Sequence, residues 1–354
     1  VSGPPTPEFQ LEFLDYIQRV LDEGGFVATY KFALLMALAD LSVEKGDESG
    51  NVLELHVDWI AQKFIQYYAR QTVPYPTAGE ERTLHQNTGK QAKVVNLVTE
   101  AQAPYLASGR PAPVTRLAES AILVRDVAGT VATMPLWKLQ FINGNDHAFL
   151  YPQTRKGRKI ALNPGVAFCF RRFHGFVTRM AQDGWIRHVR EVEENRAILG
   201  AQADLAIFLF GTSRASLADY RPILEEVQGR ACFYCETQRR ETEVDHFIPW
   251  SWYSLDLGHN FVLACKCCNA DKKDRLAAFR HLERWARRNG DHGASMTAAF
   301  RERQLPNDLG ATTTVAAWAY RRAEAVGGGT WVLGRHNEPL NGVCSDGIHL
   351  TVVH

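Results

Sequence analysis

The sequence predicts an α+β protein. A mainly α-helical N-terminal region with a few short strands is followed by a cysteine-stapled unit of two strands and a helix, then by a mixed C-terminal tail. Three observations predict this. Residues 6–70 carry apolar side chains at helical spacing, punctuated by Gly and Pro. Five of the seven cysteines fall in one short window, Cys232, Cys235, Cys265, Cys267 and Cys268. Between them, two apolar runs of strand length flank a loop, and a strongly helical stretch follows.

The N-terminal elements follow in order. Thr6-Pro7-Glu8 combines a capping hydroxyl, a proline suited to the first helical position and an acid for the first turn. Phe13, Ile17 and Leu21 then recur every fourth residue, and Gly24-Gly25 ends the run. Further helices are expected over 29–44 and 57–70, closed by Pro74 and Pro76. Residues 72–92 read as an exposed polar loop, and 91–125 as more helix. Short strands are expected at 136–141, 148–151 and 159–162. The stretch 165–183 returns to helix, with Arg171, Arg172 and Arg179 among phenylalanines. That mix suits a phosphate backbone or, more simply, the solvated side of an amphipathic helix. Residues 203–228 are again helical. A helix over 315–325 ends at Gly327-Gly328-Gly329, and short strands finish the chain. The expected division is a helical subdomain over 1–75, a mixed, mostly helical region over 76–228, the cysteine-rich unit over 229–290 and an extension over 291–354.

The chain has 354 residues, 45% of them hydrophobic, enough for two or three domains. Its net charge of +1 means that any basic surface is local. The opening VSGPPTPEF lacks the pattern of a secretion signal, and no early apolar run is long enough to span a bilayer, so a cytoplasmic protein without membrane contact is expected. An odd, clustered set of cysteines in such a chain points to metal and away from a disulfide framework.

Cys232-x-x-Cys235 and Cys265-x-x-Cys268 are two chelating pairs about thirty residues apart. Two residues between thiols let a tight turn aim both sulfurs at one tetrahedral ion. Four thiolates close the coordination sphere, which makes this a structural zinc and not a catalytic one. Cys267 is spare.

Between the pairs lies VDHFIPW, residues 244–250. Neighbours on a strand point to opposite faces, so Asp245 and His246 side by side in an apolar run need a reason, and Pro249 marks the end of the strand. Asp245-His246, then Asn260, then Cys-x-x-Cys-Asn269-x-x-Lys272 resembles the signature of the HNH endonucleases, which have the ββα-metal fold, in the subclass with a four-cysteine zinc knot. Asn269 stands where many members carry the last His. The resemblance implies that His246 is the general base and that Asp245 and Asn269 hold one Mg²⁺ or Mn²⁺. It implies that Asn260 fixes the loop and the backbone orienting His246.

The chemistry of these residue types agrees. Phosphodiester hydrolysis needs an activated water and a cation on the phosphate oxygens. An imidazole suits the base, and one carboxylate with one amide oxygen leaves a hard cation room for water and phosphate. Lys272, Lys273, Arg275, Arg239 and Arg240 are candidate nucleic-acid contacts, or plain surface charge. Zinc deaminases need an H-x-E motif before a P-C-x-x-C pair; here His281-Leu282-Glu283 and His336-Asn337-Glu338 follow the cysteines, which excludes that class.

With its TYKFALL stretch (Thr29 to Leu35) and its NFVLA…CN…K…D…LAA ending (Asn260 to Ala278), the whole chain also resembles a group of bacterial HNH endonucleases with a helical N-terminal part. That likeness implies restriction or anti-phage defence as the setting. DNA is the expected partner, with a homodimer or a defence-system protein as a further one. Three readings stand at this level: an endonuclease that recognises its own DNA site, the same nuclease gated by a partner or signal, and a zinc-stabilised nucleic-acid-binding module without catalysis.

Overall fold

The computed structural model describes residues 3–25, 27–76, 82–107, 112–152, 157–199, 205–211, 217–238, 241–254 and 256–340. The chain divides into two compact units, Val1–Gly211 and Thr212–His354. The first joins in one body what the sequence suggests as two regions, and the division falls earlier than residue 228.

The first unit is built on helices: α1 (Pro7–Glu23), α2 (Tyr30–Lys45), α3 (Val57–Ala69), α4 (Lys93–Ala107), α5 (Val114–Glu119), α6 (Ala121–Thr133), α7 (Pro135–Lys138), α8 (Val166–Arg172), α9 (His174–Glu191), α10 (Glu193–Arg196) and α11 (Leu205–Phe210). Thr6 caps α1, its hydroxyl accepting from Phe9 N at 3.3 Å. Helix α2 is apolar on all sides, and every residue from Lys31 to Val43 is buried. Such a helix belongs in a core, and α3, α8 and α9 pack around it. Close approach to α9 depends on Gly184, where a Cβ would meet Phe32 Cε1 at 2.4 Å.

The polar groups that α2 buries are paired. Asp40 accepts from the Tyr67 hydroxyl at 2.6 Å and lies 2.7 Å from His174 Nε2. Glu44 takes Lys63 at 2.5 Å. Arg171 closes the C-terminal end of α2 by donating to the carbonyls of Ser42, Val43 and Gly46 at 3.1, 2.7 and 3.0 Å. Its second nitrogen reaches Glu48 at 2.6 Å. Arg171 is therefore a brace inside the unit and not part of a basic face, whereas Arg172 and Arg179 are exposed.

Two sequence expectations change here. The run at 136–141 is not a strand: Pro135 occupies the first position of helix α7, where its fixed φ suits helix initiation. Only β2 (Phe141–Ile142) remains extended, paired with β3 (Asn145–Asp146), and 148–151 is irregular. The strand at 159–162, β4 (Lys159–Leu162), pairs antiparallel with β1 (Leu53–His56), which the sequence reading missed.

In the second unit, α12 (Arg221–Gln228) ends at Gly229, whose φ of 67° suits glycine. The hairpin of β5 (Glu243–His246) and β6 (Phe261–Ala264) follows, then α13 (Lys266–Lys272), α14 (Phe279–Glu302), α15 (Leu309–Ala325) and a closing hairpin of β7 (Gly329–Leu333) and β8 (His336–Pro339). The strongly helical stretch expected after the second apolar run is broken. Lys273 adopts a φ of 51°, and the chain runs extended past Ala277, which bridges to Trp331, before α14 begins. One face of the hairpin packs Phe261 and Leu263, with Val244 beside them, against Tyr220, Ile223, Leu224, Met296 and Phe300. The other face carries Glu243 and Asp245, opposite Ala264 and Val262.

Candidate active site

The thiols of Cys232, Cys235, Cys265 and Cys268 all lie within 4.8 Å of one another, with Cys235 Sγ 4.0 Å from Cys265 Sγ. A tetrahedral zinc with Zn–S bonds of about 2.3 Å has sulfur–sulfur edges of about 3.8 Å, so the cluster has the size of a zinc site. Local structure sets this up. The first pair spans a tight turn closed by Glu236 N donating to Cys232 O at 2.8 Å, with Glu236 at a φ of 58°. In the second pair Cys265 precedes α13 and Cys268 sits in its first turn.

The electrostatics also ask for a cation. Burial raises the Cys232 and Cys268 thiols. Burial pushes Cys235 up too, but hydrogen bonds from Thr237 and the neighbouring thiols take it down to about 6. Four such groups ionise together only around a positive charge. Cys267 is exposed and lies outside the cluster.

The knot also positions what it encloses. Tyr234, between Cys232 and Cys235, is buried and donates its hydroxyl to Asp245 Oδ2 at 2.6 Å. Lys272 Nζ lies 3.2 Å from the same oxygen and donates to the His246 carbonyl at 2.7 Å. Lys272 is fully buried, which removes it from the set of phosphate contacts: its ammonium serves the carboxylate and the strand end. Asn269, three residues earlier on α13, donates to Glu243 Oε2 at 2.7 Å. Helix α13 thus covers the Glu243–Asp245 face of β5. Asp245 Oδ1 and the lone amide oxygen of Asn269, Oδ1, have no protein partner among the described residues, and neither is sealed from solvent. One carboxylate and one amide oxygen on the same face fit a hard divalent cation.

His246 is the last residue of β5 and is half-buried. Its ring is held edge-to-face by Phe261 at 4.8 Å and by Trp250 at 5.6 Å. Its Nε2 lies 2.8 Å from Asp256 Oδ1. Asn260 clamps the segment after the strand: its side chain accepts from Ile248 N at 2.8 Å and donates to Ile248 O at 2.9 Å, and its carbonyl accepts from Phe247 N at 2.8 Å.

The Asn260 turn is gripped from behind by Arg288, buried in α14, which donates to the carbonyls of His259 and Phe261, each at 2.6 Å. Burial lowers the Arg288 guanidinium to about 9. His259, buried beside it, is lowered to about 4 by burial and is neutral near pH 7.

Of the other candidate phosphate contacts, Arg275 is tied to Asn337 Oδ1 at 2.7 Å and to the Asp271 carbonyl. Lys273 is exposed. Arg239 and Arg240 lie outside the described residues. The sequence reading missed Asp256, Tyr234 and Arg288. The available signal for Asp256 was an acid between two leucines in the loop leading to Asn260; for Tyr234 it was an aromatic inside a chelating pair.

Residues 233–278 match a family model described as HNH endonuclease. The class of the second unit is therefore an HNH endonuclease domain, whose four-cysteine cluster is compatible with zinc. Residues 10–206, more than half of the chain, match a model described as a domain of unknown function (DUF8808), and the protein belongs to that family. No curated protein and no solved structure matches the chain. Among the described residues, no helix is long and apolar enough to cross a membrane.

Proposed function

We propose that the protein is a metal-dependent endonuclease that hydrolyses phosphodiester bonds in DNA, with His246 as general base, in a restriction or anti-phage setting. The observation that carries this reading is the placement of His246. A thiol knot, a buried lysine and an asparagine clamp fix a half-buried imidazole at the end of a strand, inside a segment matching the HNH endonuclease model.

His246 takes a proton from water, and the resulting hydroxide attacks phosphorus. Asp245 and Asn269 would hold Mg²⁺ or Mn²⁺ through their unpartnered oxygens, and the ion would supply positive charge against the negative charge that builds up during hydrolysis. Asp245 keeps its other oxygen on Tyr234 and Lys272, which fixes the carboxylate without reorganisation. The zinc does not touch substrate. Lys273 supplies charge at the site rim, and the N-terminal family unit contributes recognition or gating.

The test is supercoiled plasmid, single-stranded DNA and RNA, incubated with zinc-loaded protein with and without Mg²⁺ or Mn²⁺. Metal-dependent nicking before linear product is expected, because one site cuts one strand. His246→Ala should abolish cleavage and keep the zinc. Cleavage by His246→Ala at the wild-type rate, or intact substrates under every condition, overturns the proposal.

A further inference from the structure

We infer that Asp256 is the positioning residue of the candidate base: it selects the tautomer of His246 so that Nδ1 is the atom that receives the proton from water. The inference rests on the nuclease reading for its chemistry, but not for its geometry.

Imidazole has two nitrogens, and the partner of one decides which is free on the other. Here Nε2 faces Asp256 Oδ1 at 2.8 Å, and an ionised carboxylate only accepts. Nε2 therefore carries the hydrogen, and the lone pair lies on Nδ1. Nδ1 has no protein partner among the described residues and is not among the buried, unpartnered nitrogens, unlike Nδ1 of His85, His259 and His281. It reaches solvent. Phe261 and Trp250 hold the ring plane from two sides, so the carboxylate fixes the remaining freedom, rotation of the ring.

A water O–H bond breaks, its proton goes to Nδ1, and the hydroxide forms the new bond to phosphorus. The ester oxygen leaves with its electron pair and is protonated by solvent. Asp256 keeps its negative charge throughout and stabilises the imidazolium. The plain alternative is that the contact only ties the loop before Asn260 to the strand. The two differ in what the imidazole nitrogens report.

The full-length, zinc-loaded protein is labelled with ¹⁵N-histidine, and the His246 signals are assigned by their loss in His246→Ala. Above pH 8 the wild-type protein should show the proton on Nε2. Asp256→Ala should mix the tautomers, whereas Asp256→Asn, whose amide oxygen also accepts, should largely restore the Nε2–H form. On plasmid, Asp256→Ala should lower kcat roughly 10–100-fold with KM unchanged, with partial rescue by Asp256→Asn. A wild-type signal from the Nδ1–H form overturns the inference without any variant. So does an unchanged tautomer ratio in Asp256→Ala. If the tautomers behave as expected but no protein cleaves any substrate, the positioning role stands and the nuclease reading falls.

Discussion

Each unit of the protein holds a histidine against a carboxylate at nearly the same distance, 2.7 Å for His174–Asp40 and 2.8 Å for His246–Asp256. Their surroundings differ. The side chains of the first pair are 2% and 6% exposed, and Tyr67 completes a closed polar knot under helix α2. Those of the second are 13% and 22% exposed, at the end of a strand, with one ring nitrogen open. A distance alone thus says nothing about function. A sealed pair holds helices together, because separating buried partners leaves a desolvated charge. A pair with one open atom has something to offer a substrate.

The two units should differ most in their response to loss of a thiol. Cys232→Ser or Cys268→Ser should cost the second unit its zinc and on the order of 10 kcal/mol of folding free energy. Metal content and two-transition thermal melting would show it, with the first unit melting as before. Unchanged zinc would overturn the four-thiol assignment.

Next come the histidines. His174→Ala should destabilise the first unit by about 3–5 kcal/mol. His246→Ala should leave stability nearly unchanged while removing cleavage; denaturant titration of both variants separates the two roles. Equal losses of stability would erase the distinction.

A smaller effect is expected with pH. Burial holds His259 at about 4 when folded, against 6.5 unfolded. The unfolded chain takes up the proton first, so this contribution is complete above pH 6.5 and is lost as pH falls toward 4. It amounts to roughly 3 kcal/mol from a shift of this size. His259→Gln should flatten that acid limb in urea melts of the second unit. Smallest of all, Cys267→Ser should change neither zinc content nor melting temperature, because the thiol is exposed and outside the cluster.

How much of this was legible beforehand depended on the kind of signal. The cysteine pairs and the Asp245–His246–Asn260–Asn269 order were readable because ligand spacing and motif order are properties of the chain itself. Helix α1 was readable from its cap, its period and its glycine stop. The run at 136–141 misled because its aromatic and aliphatic residues suit a strand, while Pro135 starts a helix. Lys272 was read as a nucleic-acid contact or plain surface charge, since nothing in a lysine's neighbours shows that its ammonium will fold back onto Asp245 and a strand carbonyl. Asp256 reaches His246 only through the path of the intervening loop, and a loop path leaves no periodic trace.

Tyr234 has a consequence of its own. It sits on the turn between the first two thiols of the cluster and holds the carboxylate of Asp245 from there. Stripping the ion with a chelator, or oxidising the sulfurs with peroxide, would slacken that turn and release the phenol with it. A single phenol thus ties the mechanical state of the thiol turn to the orientation of a carboxylate on the neighbouring strand.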